Sequence, residues 1–138
     1  MEKNGVQFLF MRPVYVDSVI QLKNGRLLFY SLRDCDCIYI YNEKTFQKIL
    51  DIDIYEPIKE YETKSKENAI TVNNYEREIK ISIKELYNSI ILISYYNYLI
   101  KLNLHGKTYD IKVVKDLDDN ILEINELSDK RIIAFLRY

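Results

Sequence analysis

Three stretches of this chain follow one short pattern: Leu22-Lys-Asn-Gly-Arg-Leu-Leu28, Leu86-Tyr-Asn-Ser-Ile-Ile91 and Leu127-Ser-Asp-Lys-Arg-Ile-Ile133. Each copy is a leucine, a turn containing Asn or Asp, and a run of Leu, Ile or aromatic residues. A turn between two apolar runs is the mark of an antiparallel hairpin, and its recurrence makes the chain a series of copies of one β unit that buries its faces by stacking on its neighbours. A repeated sheet of this kind specifies a scaffold, and the chemistry or the partner then belongs to particular sites on it.

The spacing supports the repeat. Leu86 and Leu127 lie 41 residues apart, within the roughly 40–45 residues of a four-stranded repeating sheet unit. A second landmark moves with the first, since Thr45 of Lys44-Thr45-Phe46 follows its leucine by 23 residues and Thr108 of Lys107-Thr108-Tyr109 by 22. The interval from Leu22 to Leu86 is 64 residues, which predicts an insertion or a degenerate half unit over residues 54–78. The expected organisation is one β domain over 1–138, with units at about 14–53 and 79–120 and a partial unit at 121–138.

Within each unit the apolar pattern predicts strands of different burial. Ile79-Lys-Ile-Ser-Ile-Lys-Glu-Leu86 alternates, which puts Ile79, Ile81 and Ile83 on one face of a half-buried strand. Arg26-Leu-Leu-Phe-Tyr-Ser-Leu32 and Ser89-Ile-Ile-Leu-Ile-Ser94 are apolar on both faces, as a strand covered on each side must be. Cys37 to Tyr41 and Leu99 to Leu104 alternate again. Polar turns at Asn42–Thr45 and His105–Thr108 follow, then edge strands from Phe46 to Ile52 and from Tyr109 to Val114. The predicted core is Leu27, Leu28, Phe29, Ile90, Ile91, Leu92, Ile132 and Ile133. The third unit holds two strands, Ile121 to Leu127 and Arg131 to Leu136, too apolar for a solvated edge; the N-terminal run Gly5 to Met11 is the same-chain candidate to pair with them, but two and a fraction units leave a wide gap, so self-association or a partner chain is expected to cover this edge.

That strand order, with Leu-x-Asn-Gly-Arg-Leu-Leu and Ile38-Tyr-Ile-Tyr-Asn42-x-x-Thr45-Phe46, resembles the repeats of WD-repeat-like β-propellers over about residues 14–53 and 79–138. The family's Trp-Asp pair is replaced by Tyr41-Asn42 in one copy and by Leu102-Asn103 or Leu104-His105 in the other, and its Gly-His pair is absent. The resemblance implies an incomplete ring of propeller blades and a role in holding peptides, proteins or larger assemblies. A small antiparallel β-sandwich is the alternative architecture, because a closed ring takes roughly four or more blades.

The remaining features constrain function mainly by exclusion. A formal charge of −1 with both signs interspersed builds no field for phosphate or an anionic membrane. Val6 to Met11 is too short for a signal segment, and no stretch approaches the roughly 20 apolar residues of a membrane span. A cytoplasmic location is expected, with Cys35 and Cys37 as reduced structural thiols, because a disulfide across one intervening residue is strained. Those cysteines and the one histidine, His105, do not complete a zinc site. His105 before Gly106 reads as an exposed turn. Asp116, Asp118 and Asn120 have the spacing of a calcium loop, but Ile121 and Leu127 stand where its Gly and bidentate Glu belong, so a polar connection between units is expected. Asp34 with Asp36, and Asp118 with Asp119, are ordinary strand-end carboxylates. Tyr95-Tyr96-Asn97-Tyr98 resembles a stacking platform for single strands, yet its one nearby cation is Lys101, and tyrosines at a hairpin more often cover the rim of a core.

Tyr55 to Asn68 admits two readings, a short helix with Pro57 at its first position or a charged insertion loop. The whole reads as a non-catalytic protein-interaction scaffold, without cofactor, metal or catalytic residues, that engages a protein partner or a second copy through an open sheet edge. A wall of a larger propeller-containing enzyme or assembly is the alternative.

Overall fold

A computed structural model describes residues 5, 8, 18–31, 36–64, 81–117 and 119–136. The described residues are all-β apart from one helix, and their strands form three antiparallel sheets. The first sheet holds β1 (Ser18–Gln21), β2 (Leu27–Ser31), β3 (Cys37–Tyr41) and β4 (Lys48–Asp53) in sequential order. The second holds β5 (Ile81–Glu85), β6 (Ile91–Tyr95), β7 (Tyr98–His105) and β8 (Thr108–Asp116), also in order. The third pairs β9 (Ile121–Glu126) with β10 (Ile132–Leu136). Two repeated four-stranded units and a two-stranded one thus follow the predicted series, as open sheets rather than a closed barrel.

The hairpin turns that define the repeat are the same structure three times. In the first, the Leu22 amide donates to the Arg26 carbonyl (2.8 Å), the Gly25 amide donates to the Leu22 carbonyl (2.9 Å), and Asn24 Oδ1 accepts from the Arg26 amide (3.0 Å). Leu86, Ser89, Asn88 and Ile90 repeat this arrangement, and so do Leu127, Lys130, Asp129 and Arg131. The fourth position needs positive φ in every copy: 95° at Gly25, 67° at Ser89 and 71° at Lys130. The Asn or Asp is required because its side chain closes the turn on the amide two residues on. A Cβ at Gly25 would meet only the carboxylate end of Glu43, a flexible side chain that can move aside, so the positive φ is what glycine eases there.

The two later landmarks differ in geometry. Phe46 has φ 57° inside a loop organised by Asn42, whose Oδ1 accepts from the Lys44 and Thr45 amides. The edge strand therefore starts at Lys48 and not at Phe46. His105 and Thr108 instead flank a two-residue turn with Gly106 at φ 69°.

Stacking makes the core. Leu28, Ile38, Ile40, Leu50 and Ile52 of the first sheet share one buried cluster with Ile91, Ile93, Tyr95, Ile100 and Leu102 of the second. On the second sheet's opposite face Leu92 joins Ile121 and Ile124 of the third, with Leu99 and Ala134 packed beside them. β6 is consequently buried at all five positions, as its doubly apolar sequence requires. Of the predicted core, Leu28, Phe29, Ile91 and Leu92 are buried and Leu27 and Ile90 half-buried. Ile132 and Ile133 are exposed, contrary to expectation, because among the described residues no sheet stacks on the outer face of β10, as the third does on β6, and no strand flanks its outer edge.

Within the predicted insertion, Tyr55–Lys64 forms helix α1. Asp53 Oδ1 accepts from the Tyr55 amide (2.8 Å) and opens it. Pro57 falls in the first turn, where its missing N–H costs no bond. Ile54, Pro57 and Ile58 are buried, so the first part of the interval is anchored to the core and not a free charged loop. The remainder, residues 65–80, lies outside the described residues, as do residues 14–17 and the Ile79 end of the predicted strand.

Candidate interaction surface

Successive turns are clamped to one another by a contact that recurs with the repeat. Glu85, the residue before Leu86, accepts from the Lys23 amide (2.7 Å), the amide just after Leu22. Glu126, the residue before Leu127, likewise accepts from the Tyr87 amide (3.1 Å), just after Leu86. Lys23 Nζ also donates to the Leu86 carbonyl (2.7 Å), Arg26 Nη1 donates to the Gly106 carbonyl (2.9 Å), and Lys130 Nζ sits 4.4 Å from the Tyr87 ring centroid. Each unit thus presents an amide and an apolar face to the unit after it. The two glutamates were not singled out in the sequence, although their signal is there: an acid directly before the repeat leucine.

Among the described residues nothing follows the third sheet in the series. Leu22 is 4% exposed and Leu127 is 38% exposed, although both occupy the same turn position. Leu122, Ile132, Ile133, Phe135 and Leu136 are exposed around it. Ile132 pairs with Glu126, Ala134 with Ile124 and Phe135 with Glu123. Ala134 faces the second sheet, while Ile133 and Phe135 point the opposite way. Among the described residues β10 therefore carries an apolar face and an unpaired backbone edge together, a combination that natural sheets usually blunt with charge, Pro or a covering element.

Elsewhere the chemistry-bearing residues are committed to structure. Tyr95, Tyr96 and Tyr98 are buried, so their rings are not a stacking platform. Tyr95 and Tyr96 pack edge to face at 4.7 Å, as do Tyr61 and Tyr98 at 6.3 Å. The Tyr95 hydroxyl donates to Asp36, Tyr98 to Glu62 (2.9 Å) and Tyr61 to Asp116 (2.8 Å). Burial first, and then the hydrogen bond to the carboxylate, hold the Tyr95 and Tyr98 hydroxyls well above the ordinary tyrosine range. These pairs fasten α1 and the start of β3 to the second sheet. The connection to the third sheet is fastened in the same region, where the Tyr96 and Asn97 carbonyls accept from the Ile121 and Leu117 amides (2.7 and 2.8 Å).

His105 is exposed, with Nε2 2.9 Å from Asp110 Oδ2. Asp119 is exposed and Asn120 half-buried, whereas Asp34 and Asp118 lie outside the described residues. Among the described residues no three His, Cys, Asp or Glu side chains converge as metal ligands. An open depression of about 410 Å³ on β7 and β8 is lined by Lys101, Asn103, Asp110, Ile111 and Lys112; both charge signs line it. The thiol expectation is corrected: Cys37 is disulfide-bonded, and Cys35 is the one other cysteine of the sequence. No helix among the described residues is long and apolar enough to cross a membrane.

Fold and surface together define a mostly β protein of stacked open antiparallel sheets, with an exposed apolar strand whose outer edge is unpaired among the described residues. No protein-family model, curated protein or solved structure matches the chain.

Proposed function

We propose that this protein is a non-catalytic protein-interaction scaffold built from β-propeller-like repeats, and that it engages its partner through β10. The observation that carries the reading is the exposed apolar strand Ile132–Leu136 on an unpaired edge among the described residues. Strand addition to such an edge takes affinity from main-chain hydrogen bonds and specificity from the side chains on alternate faces. The propeller resemblance supports the same role, since blades of that family present surfaces to other proteins. The disulfide at Cys37 removes the reduced-thiol argument for a cytoplasmic address.

Cross-linking of the intact chain in an extract of its native cell, read by mass spectrometry, tests the proposal. Cross-links should concentrate on Lys130 and its surroundings and disappear in Phe135→Lys, whose charge sits on the docking face. Partners that persist in this variant would show that the surface lies elsewhere.

A further inference from the structure

We propose that the open depression on β7 and β8 is a binding site for a phosphate monoester, with Lys101 and Lys112 as its ammonium donors. The site is separate from β10. Its volume of about 410 Å³ falls within the range of small-ligand clefts, roughly 300–1,000 Å³. Alternation along β7 sends Ile100 and Leu102 into the large core and turns Lys101 and Asn103 to the opposite face, the one that carries Leu92. The third sheet packs on β5 and β6 of that face, and Leu99 lies at its margin. Beyond the margin Lys101 stands directly opposite Lys112, and Asn103 directly opposite Asp110.

Like charges directly opposite one another destabilise a sheet, and opposite charges are the favourable cross-strand pairs on a solvated face. The Cβ atoms of such a pair are roughly 5 Å apart, which puts both ammoniums within reach of one anion. Among the described residues neither lysine makes an ion pair, and the Asn103 carboxamide has no hydrogen-bond partner. Lys101 is half-buried, so its stem has less freedom to lose on binding. A phosphate monoester answers this donor set. Its charge of about −1.5 to −2 at neutral pH meets both ammoniums, and its three terminal oxygens accept from Lys101, Lys112 and Asn103. A carboxylate carries a single charge and leaves one ammonium unmet. Asp110 engages His105 Nε2 through Oδ2 at 2.9 Å and keeps Oδ1 for a hydroxyl on the ester's alcohol. The formal charge of −1 on the whole chain supplies no long-range attraction, so these local contacts must hold the ligand.

Amide-shift NMR on the full chain, titrated with glycerol 3-phosphate at constant ionic strength, tests this. The expected result is a saturable shift confined to the amides of residues 101–103 and 110–112, with glycerol alone giving none. Lys101→Met and Lys112→Met should each weaken binding by roughly tenfold or more, the loss of one charge-assisted hydrogen bond. Lys44→Met, in a turn of the first sheet, should leave it unchanged. If a methionine variant does not fold, Lys112→Glu gives Lys101 an acid across the strands, keeps the sheet paired and should abolish binding. Shifts that never saturate, that spread over the exposed lysines in general, or that persist in Lys112→Glu overturn the site. Inorganic phosphate binding as tightly as glycerol 3-phosphate overturns the assignment to an ester.

Discussion

At the scale of single residues, the tyrosines change meaning between sequence and fold. Tyr95 and Tyr98 bury their rings and keep one polar atom each, and that atom is met by a carboxylate from another element, Asp36 or Glu62. A buried hydroxyl held by a carboxylate resists ionisation, so both hydroxyls titrate above the ordinary value of 10.0. The unfolded chain loses these protons near that value while the folded chain keeps them. Stability from this source is therefore complete below about pH 10 and falls as pH rises above it toward the folded-state values. Chemical denaturation between pH 8 and 11, roughly, should give a plateau and then a decline. Tyr98→Phe, which also strands Glu62, should lower the plateau by about 1–2 kcal/mol and make the decline shallower. An unaltered alkaline slope would mean that the Tyr98 hydroxyl is solvated.

At the scale of elements, two strands of similar composition meet different fates. β6 is covered on one face by the first sheet and on the other by β9 and β10, so every side chain is buried. Ile91→Asp places an unpaired carboxylate in the larger cluster and should destabilise the chain by several kcal/mol, on the order of 3–5, measured by urea unfolding. A midpoint within error of the parent would mean that this position is not in the core. α1 shows the opposite balance. Its exposed ion pairs, Lys59 with Glu56 and Lys64 with Glu60, contribute little each. Ile58, buried in the main cluster, and the bonds of Tyr61 and Glu62 to the second sheet hold it in place. The charge-rich sequence obscures this, because only a thin stripe of the helix faces the protein.

At the scale of the whole molecule, the core is graded along the repeat. The first and second sheets share the large cluster, whereas the third contributes Ile121 and Ile124 to a small one. Fewer buried apolar contacts mean a lower free energy of local opening. Native-state hydrogen exchange at concentrations where the chain is monomeric should therefore find the amides of β2, β3, β6 and β7 protected to near the global limit and those of β9 and β10 exchanging sooner. Uniform protection across all three sheets would contradict the gradient. The glutamate clamps run through the same series. Glu85 and Glu126 tie each unit to the one before it, and the open end is where that series has no further member among the described residues.

The strand order, the three identical turns and the stacking of units were legible in the sequence, because local chemistry dictates them: an Asn or Asp side chain closes the turn, and period-two patterning sets the faces. The glutamate clamps were legible too, once the residue before each repeat leucine is compared. Three matters depended on the tertiary structure. The segment 55–64 is a docked helix because Ile54, Pro57 and Ile58 find the core, which no local pattern encodes. Cys37 is disulfide-bonded, which its place in an alternating strand does not encode. Ile132 and Ile133, as apolar as Ile91 and Leu92, remain exposed because burial belongs to a residue's neighbours in space, and among the described residues no sheet covers the outer face of β10 as β9 and β10 cover β6.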